Sequence, residues 1–301
     1  LVRSRSYLVG VALVTMATLM WSSAGLFMRS LDLDLATIQV WRALFGALSL
    51  FLIILGEHGR RAPQAIASIG RIGFLVAVPL SAVSMLAFVV ALKLTTVANV
   101  MIVYATVPFL AAGVAFVWVR ERPERRVVIA SCIALAGVVV MAGGAAKGED
   151  IAGSFASFVM TATFAVLVVM ARRYRGMPMA PINAVGGLLC AAMAWPFAGV
   201  QGLPNLHDLV ILAAFGSITT GLAYLLFLTG SRRMPSSEAG LIALLDVILG
   251  PTWVWLAFGE RPSLLALVGG ALVLGALVWY LARGLFAAPV GGRQAAQDGG
   301  L

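Results

Sequence analysis

Ten apolar runs divide the chain, at 6–28, 35–56, 68–92, 97–119, 125–145, 152–171, 179–199, 208–230, 237–258 and 263–283. About 20 apolar residues at a helical rise of 1.5 Å cover roughly 30 Å of hydrocarbon, so each run predicts one membrane-spanning helix. The breaks between them are short and polar, for example Asp32/Asp34, Gly56 to Arg61, Arg172 to Pro178 and Arg232 to Ser236. None leaves room for a soluble domain. The expected fold class is an all-α integral membrane protein with ten transmembrane helices.

The runs fall into two sets of five. Glu121-Arg122-Pro123 and Glu260-Arg261-Pro262 lie 139 positions apart, and each ends one apolar run and begins another. Aligned on them, Phe88 meets Phe227, Lys93 meets Arg232, and Ala98-Asn99 meets Ser237-Glu238. Matching hydropathy on both sides makes this an internal duplication. The expected units are a first five-helix repeat over 1–146, a second over 147–285, and a disordered tail over 286–301.

Composition fits this picture. The chain is 61% hydrophobic and 11% charged, with mean hydropathy +1.02, whereas soluble domains carry about a quarter charged residues. Its net charge of +9 would suggest nucleic acid only if it formed a basic face on a soluble domain. The arginines instead lie between apolar runs, so the expected partner is the lipid bilayer, with no nucleic acid. Cys132 and Cys190 lie inside runs, which predicts no structural disulfide, no metal site and no cofactor. Arg3 and Arg5 precede a run long enough to span, without a clear small-residue cleavage site, so no removable signal is expected.

Arginine and lysine placement sets the orientation. One side carries sixteen: Arg3, Arg5, Arg60, Arg61, Arg71, Arg120, Arg122, Arg125, Arg126, Arg172, Arg173, Arg175, Arg232, Arg233, Arg283 and Arg293. The other carries four, Arg29, Lys93, Lys147 and Arg261. Both termini are therefore expected in the cytoplasm. Five crossings separate the two Glu-Arg-Pro copies, so the repeats are expected to be inverted. Inverted repeats are characteristic of secondary transporters with a midplane site at the repeat interface.

Trp21-Ser22 late in the first run, Arg42 in the second, and the two Glu-Arg-Pro junctions followed by glycine-spaced runs (Gly137; Gly269-Gly270 and Gly275) resemble the EamA-type family of the drug/metabolite transporter superfamily. The resemblance covers roughly residues 6–284, and within the family the chain is most similar to YddG-type exporters of aromatic amino acids. It implies a proton-motive or facilitative carrier, exporting amino acids and related metabolites by alternating access. It also implies that runs 1–4 and 6–9 surround the cavity. The expected location is a bacterial inner (plasma) membrane. The second half departs from the pattern, since Trp21 and Arg42 map onto Phe164 and Val185.

Arg42 and Asp246 are the two charges set deep in apolar runs. A charge at a helix centre costs on the order of 2.5–3.5 kcal/mol on insertion scales, so each should face a partner or a wet cavity. Arg42 reads either as a carboxylate clamp or as a structural arginine tied to carbonyls. Asp246 reads as a partner for Arg42, a site for a substrate amine, or a proton carrier. Pro79-Leu80-Ser81 in run 3 aligns with Ile218-Thr219-Thr220-Gly221 in run 8, and both weaken the helical ladder. Ser81 and Thr220 join the candidate substrate site, as do Trp21, Ser22, Tyr104 and Tyr224, which lie inside runs beside polar neighbours. Pro108 and Pro251 are expected to kink runs 4 and 9. Trp118, Trp253, Trp255 and Trp279 lie nearer run ends, as an interfacial belt does.

Runs 5 and 10 carry Ala130/Ala134, Ala266/Gly270 and Ala271/Gly275, spacing suited to close helix packing. They read as peripheral supports or an oligomer contact. Glu121 and Glu260 read either as caps of the helices that follow or as latches between the halves, one on each face.

The function expected is export of small amphipathic metabolites, foremost amino acids. A carrier of other metabolites or drugs is the alternative, and a non-transport scaffold or receptor stands behind it. An enzyme is not expected: His58 and His207 lie in breaks, and no HExxH motif or P-loop occurs.

Overall fold

The computed structural model describes residues 5–120, 125–142, 148–174, 176–199, 204–234 and 236–287. Helices joined by short turns make them up, with no strand among the described residues. Helices α1 (Arg5–Ser22) and α2 (Ala24–Arg29) make the first rod, and α3 (Leu35–His58) with short α4 (Ala62–Ala67) the second. The third contains α5 (Gly70–Ile72), a wide π turn at Gly73–Ala77 and α6 (Val78–Leu94). Helices α7 (Val97–Tyr104) and α8 (Val107–Val119) form the fourth, and α9 (Arg125–Ala142) the fifth. The second set runs α10 (Gly148–Arg173), α11 (Met179–Ala194), α12 (Leu206–Gly216), a π turn at Ser217–Leu222 and α13 (Ala223–Ser231). It ends with α14 (Ser236–Ala243), α15 (Leu245–Phe258) and α16 (Leu264–Ala287).

Seven rods are long and apolar enough to cross a membrane, and Leu245–Phe258 and Leu264–Tyr280 are shorter apolar helices. The tail expected to be disordered lies outside the described residues from 288 onward.

Local chemistry sets the helix ends. Asp34, Thr96 and Asn205 each accept a backbone N–H in the first turn of α3, α7 and α12, from Thr37, Asn99 and Asp208. Burial acts to raise the Asp34 carboxyl's pKa, but hydrogen bonds from Thr37 and nearby amides hold it below its ordinary value. α8 and α15 end alike, on residues in the left-handed region, Arg120 (φ 60°) and Gly259 (φ 69°). These positions are again 139 apart, so the duplication extends to backbone geometry.

Polarity is distributed as in a lipid-solvated bundle. Leu48, Leu52, Phe74, Leu75, Phe155 and Leu256 are exposed, while Thr18, Ser22, Gln39, Arg42, Thr161 and Asp246 are buried. The packing also respects the two sets. α1 lies against α13 and α15, and α10 against α6, α7 and α8. Exchanging the sets turns one group of contacts into the other. α3 packs on α11, α7 on α15, and α9 on α16.

The α9–α16 contact depends on two glycines. A Cβ on Gly137 would stand 2.6 Å from the Gly269 carbonyl oxygen, and one on Gly269 2.4 Å from that of Gly137. Neither backbone atom can yield without parting the helices. Gly137→Leu is expected to destabilise the protein by about 1–3 kcal/mol, read as a lower melting temperature in detergent. Gly275→Leu, where a Cβ meets open space, is the control and should change little.

Candidate functional site

Five rods have lost regular helical geometry inside the bundle. α7 and α8 separate at Ala105-Thr106, and α14 and α15 at Leu244. Residues 105 and 244 are 139 apart, so these breaks match between the sets. Proline explains the first: Pro108, in the first turn of α8, has no N–H for the Tyr104 carbonyl. Thr106 turns inward on the break and donates its hydroxyl to the Val103 carbonyl at 2.6 Å. Two further irregular turns are the π segments at Gly73–Ala77 and Ser217–Leu222.

The Ser217–Leu222 turn contains the predicted Ile218–Gly221 interruption. The irregularity predicted at Pro79-Leu80-Ser81 lies upstream instead, because proline disturbs the residue four positions before it, here Leu75. Pro251 sits inside α15 with no interruption at its own position. α1 and α2 also part at Ser23, whereas α10 runs unbroken through the matching stretch.

Asp246 stands in the first turn of α15, just past the break. It is 8% exposed, and its Oδ1 is buried with no hydrogen-bond partner among the described residues. A helix N-terminus favours an anion, so the position itself is electrostatically prepared. Tyr104, the last residue of α7, lies within electrostatic range of Asp246 and packs its ring 5.9 Å from that of Phe164. Phe164 is the counterpart of Trp21, whose own ring lies 5.1 Å from Phe227.

Arg42 sits about two turns into α3 and is 7% exposed. Its guanidinium lies between two rings, 5.2 Å from the Phe88 centroid and 4.7 Å from that of Phe215. Phe215 stacks in turn on Phe27 at 5.5 Å. Glycine makes this possible: a Cβ on Gly216 would come 2.4 Å from the Arg42 carbonyl oxygen, so only glycine lets α12 lie this close to α3. Nε of Arg42 is buried without a partner, and no ion pair joins Arg42 to Asp246 among the described residues. Rings, and not carbonyls, hold the guanidinium.

One turn before Arg42, Gln39 is fully buried. Its Nε2 donates to Cys190 Sγ at 2.7 Å, and its Oε1 has no partner. Sequence reading passed over Gln39, although its i, i+3 relation to Arg42 was visible.

The remaining predicted residues divide. Ser22 donates to the Leu19 carbonyl (2.9 Å) and accepts the indole N–H of Trp253 (3.0 Å), so its hydroxyl is already engaged. Trp253 thus points into the bundle and is not part of an interfacial belt. Ser81 donates to the Asn183 side chain at 2.8 Å. Thr220 packs on Gly46 of α3, while its neighbour Thr219 donates to the Phe215 carbonyl at 2.6 Å. Tyr224 lies in a separate cluster with Leu50, Ile54, Ala62 and Ala184. A pocket of about 390 Å³ lined by Ile66, Ile69, Arg71, Phe74 and Val185 includes none of the predicted residues.

Glu260 lies at one end of the bundle in a dense polar node. Its Oε2 accepts from Arg29 Nε at 2.7 Å and its Oε1 from the Val97 amide at 2.8 Å. Arg29 also donates to the carbonyls of Leu92 (2.6 Å) and Thr95 (2.9 Å). Glu260 therefore caps α7 and joins elements of both sets, while Ser263 caps α16 by accepting the Ala266 amide at 3.1 Å. Glu121 lies outside the described residues. Arg29 was missed as its partner because the two are 231 positions apart. The same separation recurs where Tyr7 donates to Glu238 and where Trp253 meets Ser22. A constant offset means that the first rod and the α14–α15 rod run side by side in the same direction.

A family model described as the EamA-like transporter family matches the chain twice, over residues 8–143 and 151–282. A solved structure titled "Crystal structure of protein" is similar in fold, with TM-score 0.63 and 20% identity, covering 94% of this chain and 98% of that one. No match was found among curated proteins.

Proposed function

The chain belongs to the EamA-like transporter family, and on that premise we propose that it is a secondary carrier exporting amino acids, aromatic ones first, as YddG-type exporters do. The coarser statement, a membrane transporter of small metabolites, follows from the family itself. In the proposed mechanism Arg42 engages the substrate carboxylate, and Asp246 carries a proton or meets an amine. Trp21 and Tyr104, with Phe164 and Phe227, offer apolar walls. The site opens alternately to either side of a bacterial inner membrane, with both termini in the cytoplasm.

The observation that carries this reading is that the buried core holds a cation and an acidic group not spent on each other. A purely structural pair would close as an ion pair, because an isolated buried charge is costly. Here Arg42 Nε and Asp246 Oδ1 both remain unpartnered, on different rods, and Asp246 adjoins a helix break. Such breaks at membrane depth free backbone groups for a ligand.

Counterflow in proteoliposomes containing only this chain tests it, screened across the amino acids with and without a pH gradient. Substrate-dependent exchange is expected for at least one aromatic amino acid; no exchange with any amino acid would overturn the reading. Asp246→Asn is expected to keep exchange and lose uptake driven by the pH gradient. If gradient-driven uptake persists in that variant, Asp246 is not the proton carrier.

A further inference from the structure

Resting on the carrier reading above, we infer that Gln39 is a second substrate-contacting residue: its amide oxygen receives the ammonium of an α-amino acid whose carboxylate lies on Arg42. Gln39 and Arg42 stand three residues apart on α3, which places them as neighbours on one helix face. Their free valences are complementary. Arg42 offers only donors, and its buried Nε is one with no acceptor. Gln39 has both kinds of group, and the sulfur of Cys190 occupies its donor side. Of its two polar atoms, only Oε1 is buried with no partner among the described residues.

Leaving a buried acceptor empty is unfavourable in a helix bundle that could have carried leucine there at no polar cost. A donor and an acceptor left open side by side fit a ligand bearing an anion and an N–H cation on one carbon. The surroundings favour this use over a structural one. The guanidinium carbon lies over the Phe88 and Phe215 rings, which offer its N–H groups no oxygen acceptor. Cys190 is itself fully buried and fixes the turn of the Gln39 amide. The assignment also separates two roles that Asp246 could otherwise combine. With the ammonium on Gln39, Asp246 on α15 is left for the proton.

The test compares phenylalanine with its des-amino analogue, 3-phenylpropanoate, as ligands of the detergent-purified full chain. Wild-type protein is expected to bind phenylalanine at least about tenfold more tightly, the scale of one charge-assisted hydrogen bond. Gln39→Leu should bring the ratio to about one by weakening phenylalanine alone. An undiminished ratio in Gln39→Leu, or equal weakening of both ligands there, would overturn the assignment while leaving the carrier reading intact. If wild-type protein binds neither ligand, this inference fails; the carrier reading fails with it only if the counterflow screen finds no amino acid exchanged. Should Gln39→Leu not fold, Gln39→Met, which keeps the length without the amide oxygen, decides: an undiminished preference overturns the assignment.

Discussion

Arg42→Met is expected to reduce amino-acid counterflow by about 30-fold or more, the cost of roughly 2 kcal/mol for a lost charged hydrogen bond to substrate. Its melting temperature should stay level or rise. The two effects part because Arg42 has no ion-pair partner to be stranded by its loss. Removing the arginine relieves a buried charge worth on the order of 2.5–3.5 kcal/mol on insertion scales. It forfeits two ring contacts worth about 0.5–1 kcal/mol each or somewhat more when desolvated. Methionine keeps much of the volume between Phe88 and Phe215. Transport and thermal melts on the same preparation check this. A variant that loses stability along with transport, or that transports like wild type, would show Arg42 to be a structural residue.

Glu260→Gln should loosen the end of the bundle where Arg29 sits. Both side chains of the pair are about four-fifths buried, at 22% and 20% side-chain exposure, so solvent screens the interaction only partly. Losing the charge-assisted bond costs about 2 kcal/mol, on the order of a 30-fold shift toward a state open at that end. A cysteine placed by Met28→Cys, at a position now 2% exposed, reports the opening when Cys132 and Cys190 have been replaced. Thiol labelling of Met28→Cys is expected to accelerate by about that factor. Glu238→Gln, at the far end of the same pair of rods, should leave it unchanged. Equal acceleration by both variants would mean general loosening and would remove the latch role of Glu260.

What the sequence made legible follows from what periodicity and composition encode. The duplication, the helical class and the deep positions of Arg42 and Asp246 all lie in the order of apolar and charged residues along one strand of text. The break beside Pro108 and the Ser217–Leu222 turn were legible, those at Ser23 and Leu244 were not, and the miss at Pro79 has a simple cause. Proline acts on the carbonyl four residues back, so its position marks the end of the disturbance. Long-range pairings were not legible. Whether Ser22 is free depends on Trp253, and whether Glu260 caps its own helix or another depends on Arg29, each 231 positions distant. Tyr224 illustrates a further limit, since depth in an apolar run does not say which side of the rod a ring leaves from. Gln39 was overlooked for a different reason: a neutral amide carries no charge to make its burial conspicuous.

The side-by-side course of the first rod and the α14–α15 rod bears on how the chain is made. Tyr7, Ser22 and Arg29 leave the ribosome 231 residues ahead of their partners Glu238, Trp253 and Glu260. At 5–20 residues per second that delay is roughly 10–50 s. Through it the first helix must sit in the bilayer without its lengthwise neighbour, its arginine held only by the carbonyls of Leu92 and Thr95 once those arrive. The newborn first set of helices is thus an unfinished assembly, completed by hydrogen bonds to residues made 231 positions later.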